Sequence, residues 1–291
     1  MNSIKYSEKV TVILVNYNGR KFLENCIGSL KKQTYSNMSV LIVDNCSEDD
    51  SVKFLKENYP EIEVIACNKN YGFAKANNIG IKYAIGQGTD YVMLLNVDTA
   101  IDSSLIEKLI READSNVVTV PKIYSDKRYM KIWYAGGGID YVNGDSYHTM
   151  KGGDGTVQEV SFACGCCMLI HKNIIQKCGM LDENYYLYYE DTDWSVRFGK
   201  ENIKIKYVPE AKMWHKIGGS GGKMGGLYKT YYLTRNQLYF IKKHQDCIHS
   251  NTFMKTWQIF KDNFFHEPDR EKRKYIWFGI RDFYKGKTGR L

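Results

Sequence analysis

Val92-Met93-Leu94-Leu95-Asn96-Val97-Asp98-Thr99 decides how the chain is read. An apolar run stops abruptly at Asn-x-Asp. Runs of this length bounded by polar residues form buried strands of mostly parallel sheets. In open α/β sheets the ligand crevice lies at the carboxyl ends of the strands. A carboxylate at that end suits a hard divalent cation carrying phosphate oxygens. The plain alternative is a strand-ending turn, which Asn and Asp favour for their own reasons.

Outward from that stretch the same pattern repeats. Residues 10–15 form an apolar strand that ends in Asn16-Tyr17-Asn18-Gly19. A helix follows, with Phe22, Leu23, Cys26, Ile27 and Leu30 on one face. Residues 40–43 form a second strand, ending in Asp44-Asn45-Cys46-Ser47. A short helix over 51–58, a strand over 61–66, a loop over 68–73 and a helix over 74–85 lead to the strand at 91–95. Such β-α alternation predicts a parallel sheet with right-handed crossovers. Three strand ends carry Asn, Asp or both, which points to a polar pocket built from successive loops. The glycines at 19 and 72 lack dinucleotide-loop spacing, and no G-x-x-x-x-G-K-[ST] run is present. Phosphates would therefore be held another way, and a cation at Asp98 would serve.

Beyond Asp98, residues 103–113 read as a helix with Ser103 as its cap. Residues 117–121 read as a strand. Glycines and aromatics over 124–158 predict irregular β structure and loops. Residues 160–170 read as a strand interrupted by Gly165, where the backbone either approaches a ligand closely or bulges. Glu190, Asp191 and Asp193 then cluster where a helix begins, favoured there by its dipole. Asp193 and Arg197 are four apart and can pair. Glu190 and Asp191 remain as candidates for a general base. A strand over 203–208 leads to His215, a candidate metal ligand. The glycine-rich run 218–222 reads as a loop able to close over substrate. Residues 227–243, 255–265 and 274–284 read as helices, the last two split by Pro268 and mixing aromatics with Lys and Arg. They are expected either to lie on an anionic membrane surface or to pack as a lid.

The 291 residues carry 41 Lys and Arg against 33 Asp and Glu, a net charge of +8. Part of that excess sits in the last quarter, where it serves an anionic partner or solubility. No apolar run is long enough to span a bilayer, and the first nine residues do not read as a signal peptide. The expectation is a cytoplasmic protein, peripheral on the inner face of the plasma membrane. The eight cysteines fit a reduced compartment. Cys164, Cys166 and Cys167 cluster without a second ligand pair at zinc spacing and read as core.

Taken together the motifs resemble the family 2 glycosyltransferases of the GT-A fold, most of all the rhamnosyltransferase-like members of bacterial surface polysaccharide synthesis. The matching stretches are Val15-Asn16-Tyr17-Asn18-Gly19, Val43-Asp44-Asn45-x-Ser47, Asn70-x-Gly72-Phe73-Ala74-x-Ala76-Asn77-Asn78-x-Gly80, Leu95-Asn96-x-Asp98, Gly165-x-x-Met168, Tyr188-x-Glu190-Asp191-x-Asp193-Trp194-x-x-Arg197, Arg235-Asn236 and the tail from Gly279 to Lys287. The resemblance implies a mostly parallel, Rossmann-like sheet flanked by helices over residues 1–222, and a helical extension over 223–291. It implies inverting transfer of a sugar, rhamnose first, from a dTDP or UDP donor to a saccharide hydroxyl on a lipid-linked acceptor. No nucleic-acid partner is expected. By the same resemblance, Asn16, Tyr17, Asn18, Asp44, Asn45, Gly72, Asn77, Asn96, Asp98, Gly165 and Arg235 bind the nucleotide sugar. Asp98 and His215 hold Mg²⁺ or Mn²⁺, and Asp191 is the base with Glu190 second. The chain departs from the family in Asn96, where many members carry Asp, and in Val97, where this subgroup commonly has Pro. The competing readings are a nucleotidyltransferase, disfavoured by the missing N-terminal phosphate loop, and a non-catalytic carbohydrate-binding protein on the same fold.

Overall fold

A computed structural model describes residues 7–125, 130–152, 154–216 and 222–291. The first half alternates as the sequence requires: β1 (Val10–Asn16), α1 (Arg20–Leu30), β2 (Met38–Asp44), α2 (Ser51–Asn58), β3 (Glu63–Ala66), α3 (Gly72–Gly86) and β4 (Tyr91–Asn96). β1 pairs in parallel with β2 and β4, and β2 with β3. Val12, Ile13 and Leu14 are buried in succession, as are Val92 to Leu95. Helices cover both faces, so these strands need no polar alternation. In register, Asn16 faces Asp44 and Val15 faces Asn96. The polar residues of the three strand ends therefore stand at one level of the sheet.

The second half is β5 (Thr99–Ile101), α4 (Leu105–Glu112), β6 (Val117–Tyr124), β7 (Ile132–Tyr134), β8 (Gly137–Asp140), β9 (Asp145–His148), β10 (Gln158–Val160), β11 (Cys167–His171), α5 (Lys172–Cys178), α6 (Glu190–Lys200) and β12 (Lys204–His215). The sheet runs β10-β12-β6-β11-β4-β1-β2-β3, with β5 on β12 and β7 on β6, while β8 and β9 form a separate hairpin. β11 is antiparallel to both β4 and β6.

Three expectations are corrected. The strand read over 160–170 is two strands, because its middle bonds elsewhere. Ser161 N–H donates to Gly137, the Phe162 carbonyl accepts from Tyr134 Oη, and Ala163 N–H donates to Ser195 Oγ. Ser103 does not cap α4: the helix starts one residue later, with Ser104 at the cap position and its hydroxyl on Asp102. The strand expected over 203–208 continues to His215, across an irregularity in its pairing with β6 between Val208 and Lys212.

The chain closes with α7 (Gly222–Lys243), α8 (Thr252–Ile259), a π-helical turn (Phe260–Phe264) and α9 (Arg270–Tyr284). Phe240, Ile241 and Ile248 join the main core, whereas Leu238 packs with Ile259, Ile276 and Ile280 in a satellite core. α7 and α9 approach closely at Gly279, where a Cβ would stand 2.9 Å from the Tyr231 carbonyl. No helix among the described residues is long and apolar enough to cross a membrane.

Candidate active site

Four loops meet above the strand ends, and their polar residues knit them together. Asn16 is fully buried; its amide donates to Asp44 Oδ1 at 2.8 Å and to Ser47 Oγ at 3.1 Å. Asp44 also accepts from Ser47 N–H. Asn18 takes a positive φ of 51° and accepts from Glu48 N–H. Asn45 donates to Asn70 Oδ1 and the Gly72 carbonyl, and accepts from Tyr71 N–H. Tyr17, 43% exposed, and Asn18 are open members of the set. Gly72 adopts a φ of +83°, and a Cβ there would strike the Tyr186 ring and carbonyl. Phe73 N–H donates to that same carbonyl at 2.7 Å. Asn77 lies buried on α3 and donates to the Phe73 carbonyl.

Asp98 follows β4 directly. β5 turns the chain back antiparallel along β12, with Thr99 opposite His215. That pairing brings the imidazole Nε2 to 3.1 Å from Asp98 Oδ1. His215 Nδ1 is buried without a hydrogen-bond partner among the described residues. A carboxylate and an imidazole, one nitrogen of which is left unsatisfied, are two side chains of the kinds that could hold a divalent cation. The Asn96 side chain, partly exposed on the same turn, has no protein partner among the described residues. His244, Asp246 and Cys247 also bring ligand atoms within 4.8 Å of one another. Lys200 Nζ stands among them, 3.2 Å from His244 Nδ1 and 2.8 Å from Asp246, so that cluster is a charge network.

Across the site, α6 delivers Glu190 and Asp191 from an unusual loop. Tyr186, Tyr188 and Tyr189 all have positive φ, at 64°, 67° and 74°. Left-handed backbone at a bulky residue is strained and persists only when its surroundings enforce it. Here Asn236 donates from its amide to the carbonyls of Tyr185, Leu187 and Tyr188, at 2.9, 2.8 and 2.8 Å. Arg235 donates to the carbonyls of Asn184, Tyr185 and Gly289 and to Asn236 Oδ1. Arg235 is 2% exposed. Its guanidinium is thereby turned onto the loop backbone, not out toward a leaving group.

Asp191 Oδ2 accepts from Gly165 N–H at 2.9 Å, and Oδ1 accepts from Thr192 N–H at 2.8 Å. Burial pushes its carboxyl up from the ordinary range while those two N–H groups pull it back. Glu190 is 5% exposed, and its Oε2 finds no hydrogen-bond partner among the described residues. Burial, then the neighbouring Asp191 charge, push it well above the ordinary glutamate range. Gly165 answers its sequence ambiguity: a Cβ there would sit 3.3 Å from that of Asp191. The next residue ties the site's other end, since the Cys166 carbonyl accepts from Asn96 N–H at 3.0 Å. Gly165 and Cys166 together thus join Asp191, at the start of α6, to the Asn96-Val97-Asp98 turn. Burial holds the Cys164 and Cys166 thiols far above their usual range, consistent with a packing role.

Asp193, the third acid, faces inward. It pairs with Arg197 at 2.8 Å, Lys243 at 2.7 Å and His244 at 2.8 Å, and accepts from Tyr185 Oη. Burial alone would raise its carboxyl, but His244, Arg197 and Lys243 outweigh it and hold it far below the usual range. This locks α6 to α7. The expected Asp193–Arg197 pair is present, with Lys243 at the end of α7 and His244 just beyond it added as partners.

Two side chains of this site went unnamed in the sequence reading: Trp133 and His148. Trp133 contacts His215 at 5.0 Å and His148 at 4.6 Å between ring centroids. His148 lies within reach of the Asp191 charge, which pulls its pKa up, although burial wins and lowers it. Irregular β structure carries no period from which their facing could be read. The glycine-rich run over 218–221 lies outside the described residues.

Residues 11–179 match the family model "Glycosyl transferase family 2". The chain is 27% identical over 249 residues to dTDP-rhamnosyl transferase RfbF of Shigella flexneri, covering 82% of this chain and 81% of that one. It is 26% identical, with 75% and 79% coverage, to N-acetylglucosaminyl-diphospho-decaprenol L-rhamnosyltransferase of Mycobacterium tuberculosis strain H37Rv. Among solved structures it superposes on S. aureus TarS 1-349 in complex with UDP-GlcNAc at a TM-score of 0.63, with 18% identity, covering 95% of this chain and 81% of that one. GalNAc-T7 with UDP, GalNAc and Mn²⁺ gives a TM-score of 0.61 at 17% identity, covering 90% of this chain and 58% of that one. At such identities the structural likeness shows the fold, a GT-A-like α/β sheet flanked by helices.

Proposed function

The chain belongs to glycosyl transferase family 2, and we propose that it moves a sugar, rhamnose first, with inversion from a dTDP or UDP donor to a hydroxyl of a lipid-linked saccharide acceptor, in cell-surface polysaccharide synthesis. The observation that carries this reading is the Gly165-Cys166 step, which fixes an Asp191 carboxylate opposite the Asp98 turn through two backbone hydrogen bonds. A base on one side and a diphosphate cradle on the other suit a single in-line displacement. Rhamnose and dTDP are favoured because the RfbF relative carries dTDP-rhamnosyl in its name.

Asp191 takes the proton of the acceptor hydroxyl as that oxygen bonds to the anomeric carbon. The bond from that carbon to the diphosphate breaks on the opposite face, and the electron pair leaves with the nucleoside diphosphate. Inversion follows from one displacement without a covalent enzyme intermediate. Tyr17 would line the base and ribose pocket, while buried Asn16, Asp44 and Asn45 shape the loops beneath it. Asp98 and His215 would hold Mg²⁺ or Mn²⁺, which supplies Lewis-acid charge for the diphosphate when bound. Arg235 and Asn236 position the base loop. Residues 1–222 are the catalytic unit in this reading, and 223–291 face the acceptor and membrane.

Membrane contact is supported by Phe253, Met254 and Trp257, exposed by 77, 61 and 65% along α8, with Phe265 66% exposed beyond it. Exposed Lys261, Arg270, Lys272 and Lys274 lie close by in sequence. Aromatic and cationic side chains together suit an anionic interface, and would hold a cytoplasmic enzyme peripherally on the inner face of the plasma membrane. The full chain should cosediment with phosphatidylglycerol vesicles, less so as salt rises. Undiminished cosedimentation of the variant carrying Phe253→Ser and Trp257→Ser would remove this assignment.

The donor is tested by thermal shift with a nucleotide-sugar panel, with and without Mn²⁺, because a ligand bound to the native state raises apparent stability. A shift with dTDP-rhamnose that Mn²⁺ enlarges supports the reading. Diphosphate release from a nucleoside triphosphate would instead favour nucleotidyl transfer.

A further inference from the structure

Trp133 stands between the two ends of the site, yet the transfer described above gives it no task. It lies on β7, which pairs with β6 at the sheet margin, and it is partly exposed. One neighbour is His215, which touches Asp98; the other is His148 on β9, the strand whose Ser146 Oγ lies 3.0 Å from Thr192 Oγ1, the residue after Asp191. The indole therefore touches one ring on the Asp98 side of the site and one on the Asp191 side. Among the described residues no acceptor takes its ring N–H.

The surroundings hold this ring in a fixed wall. His148 Nδ1 is 3.3 Å from the Trp133 carbonyl, so an N–H there donates to it and Nε2 keeps a lone pair. Phe162 stacks on His148 at 5.7 Å, and Tyr134 meets it edge-on at 5.2 Å. Tyr134 Oη in turn donates to the Phe162 carbonyl at 2.6 Å. An aromatic surface with one open N–H and one ring nitrogen matches a pyranose, which has an apolar C–H face and a rim of hydroxyls. Aromatic rings carry a negative face that attracts polarised C–H groups, and indole N–H groups seek a partner when partly buried. A base can take a proton only from a hydroxyl within hydrogen-bond reach. The acceptor ring must therefore lie beside Asp191, where this wall stands.

We propose that Trp133, flanked by His148, is the platform on which the acceptor sugar lies while Asp191 takes its hydroxyl proton. The proposal rests on the transferase reading and names the saccharide side of that site. Its occupant is the terminal pyranose of the acceptor; the donor sugar is the competing occupant.

The test uses the full chain with dTDP and Mn²⁺ and a panel of methyl glycosides of glucose, galactose, N-acetylglucosamine and rhamnose, read by saturation-transfer NMR. At least one glycoside should receive saturation on one face of its ring. Trp133→Ala should weaken that glycoside roughly tenfold, the loss of one aromatic contact, while dTDP affinity stays within about twofold. Trp133→Phe keeps a ring but not the N–H, and should fall between the two; it decides the matter should the alanine variant fail to fold. Glycoside affinity unchanged in Trp133→Phe and in folded Trp133→Ala overturns the proposal. So does the absence of saturation on every glycoside, or a wall that takes up the sugar of dTDP-rhamnose instead. Failure of dTDP itself to bind would count against the transferase reading, and so is distinguishable from failure of the platform.

Discussion

Glu190 and Asp191 share one helical turn, but their partners separate their roles. Two N–H donors work against the burial that raises Asp191, whereas Glu190, with an oxygen that has no hydrogen-bond partner among the described residues, is pushed well above the ordinary range by burial and by the Asp191 charge. An acid whose folded pKa is raised binds protons more tightly folded than unfolded. Its presence therefore lowers stability as pH rises from the unfolded glutamate range, about 4.3, toward the folded value. Glu190→Gln should stabilise the fold at pH 7 by about 1–2 kcal/mol, a rise of roughly 2–8 °C in Tm, with the gain vanishing near pH 4. A lower Tm at pH 7 would show that the charged form is accommodated. Asp98 and His215 make a second residue-scale prediction. Asp98→Asn should lose most of the Mn²⁺-dependent part of the donor thermal shift, and His215→Ala a smaller share. A shift equally dependent on Mn²⁺ in both variants would place the cation elsewhere.

At the scale of elements, Asp191 is only as well placed as the loop before α6. Three left-handed tyrosines are enforced from α7 by the Arg235-Asn236 clamp. Asn236→Ala removes the amide whose two N–H groups serve three carbonyls of that loop. Transfer should fall about a hundredfold in kcat, the effect of an ångström-scale misplacement, while nucleotide affinity holds. Equal loss of nucleotide affinity would make the clamp merely structural. The Asp193 lock binds the same two helices. Its depressed carboxyl contributes stability that is present above the unfolded aspartate range, about 3.9, and is lost as pH falls through the folded value. Asp193→Asn should cost roughly 3–5 kcal/mol in urea unfolding at pH 7, and the gap to the parent should narrow in acid. A gap independent of pH would assign the loss to packing.

Across the whole molecule, the first half was legible because its signals are local. Residues 10–16, 38–44 and 91–96 are apolar runs ended by polar residues, and their helices show clear periodicity. The second half was less so. β5 has three residues and no pattern, yet it is what sets His215 beside Asp98. The break before β11 is imposed by Ser195 and by the β8 backbone, partners distant in sequence. Trp133 and His148 carry no helical or strand period, so only the fold reveals that their rings meet beside His215. Arg235 was marked as important by its motif, but its direction depends on carbonyls some fifty positions away. The central claim is that Asp191 is the base of a sugar transfer across this crevice. It is tested most directly by sugar transfer from dTDP-rhamnose to the acceptor by the parent protein and by Asp191→Asn, with dTDP affinity measured on both. The account predicts a fall of about a hundredfold or more in transfer, with nucleotide affinity essentially unchanged; transfer retained within a few-fold of the parent would contradict it.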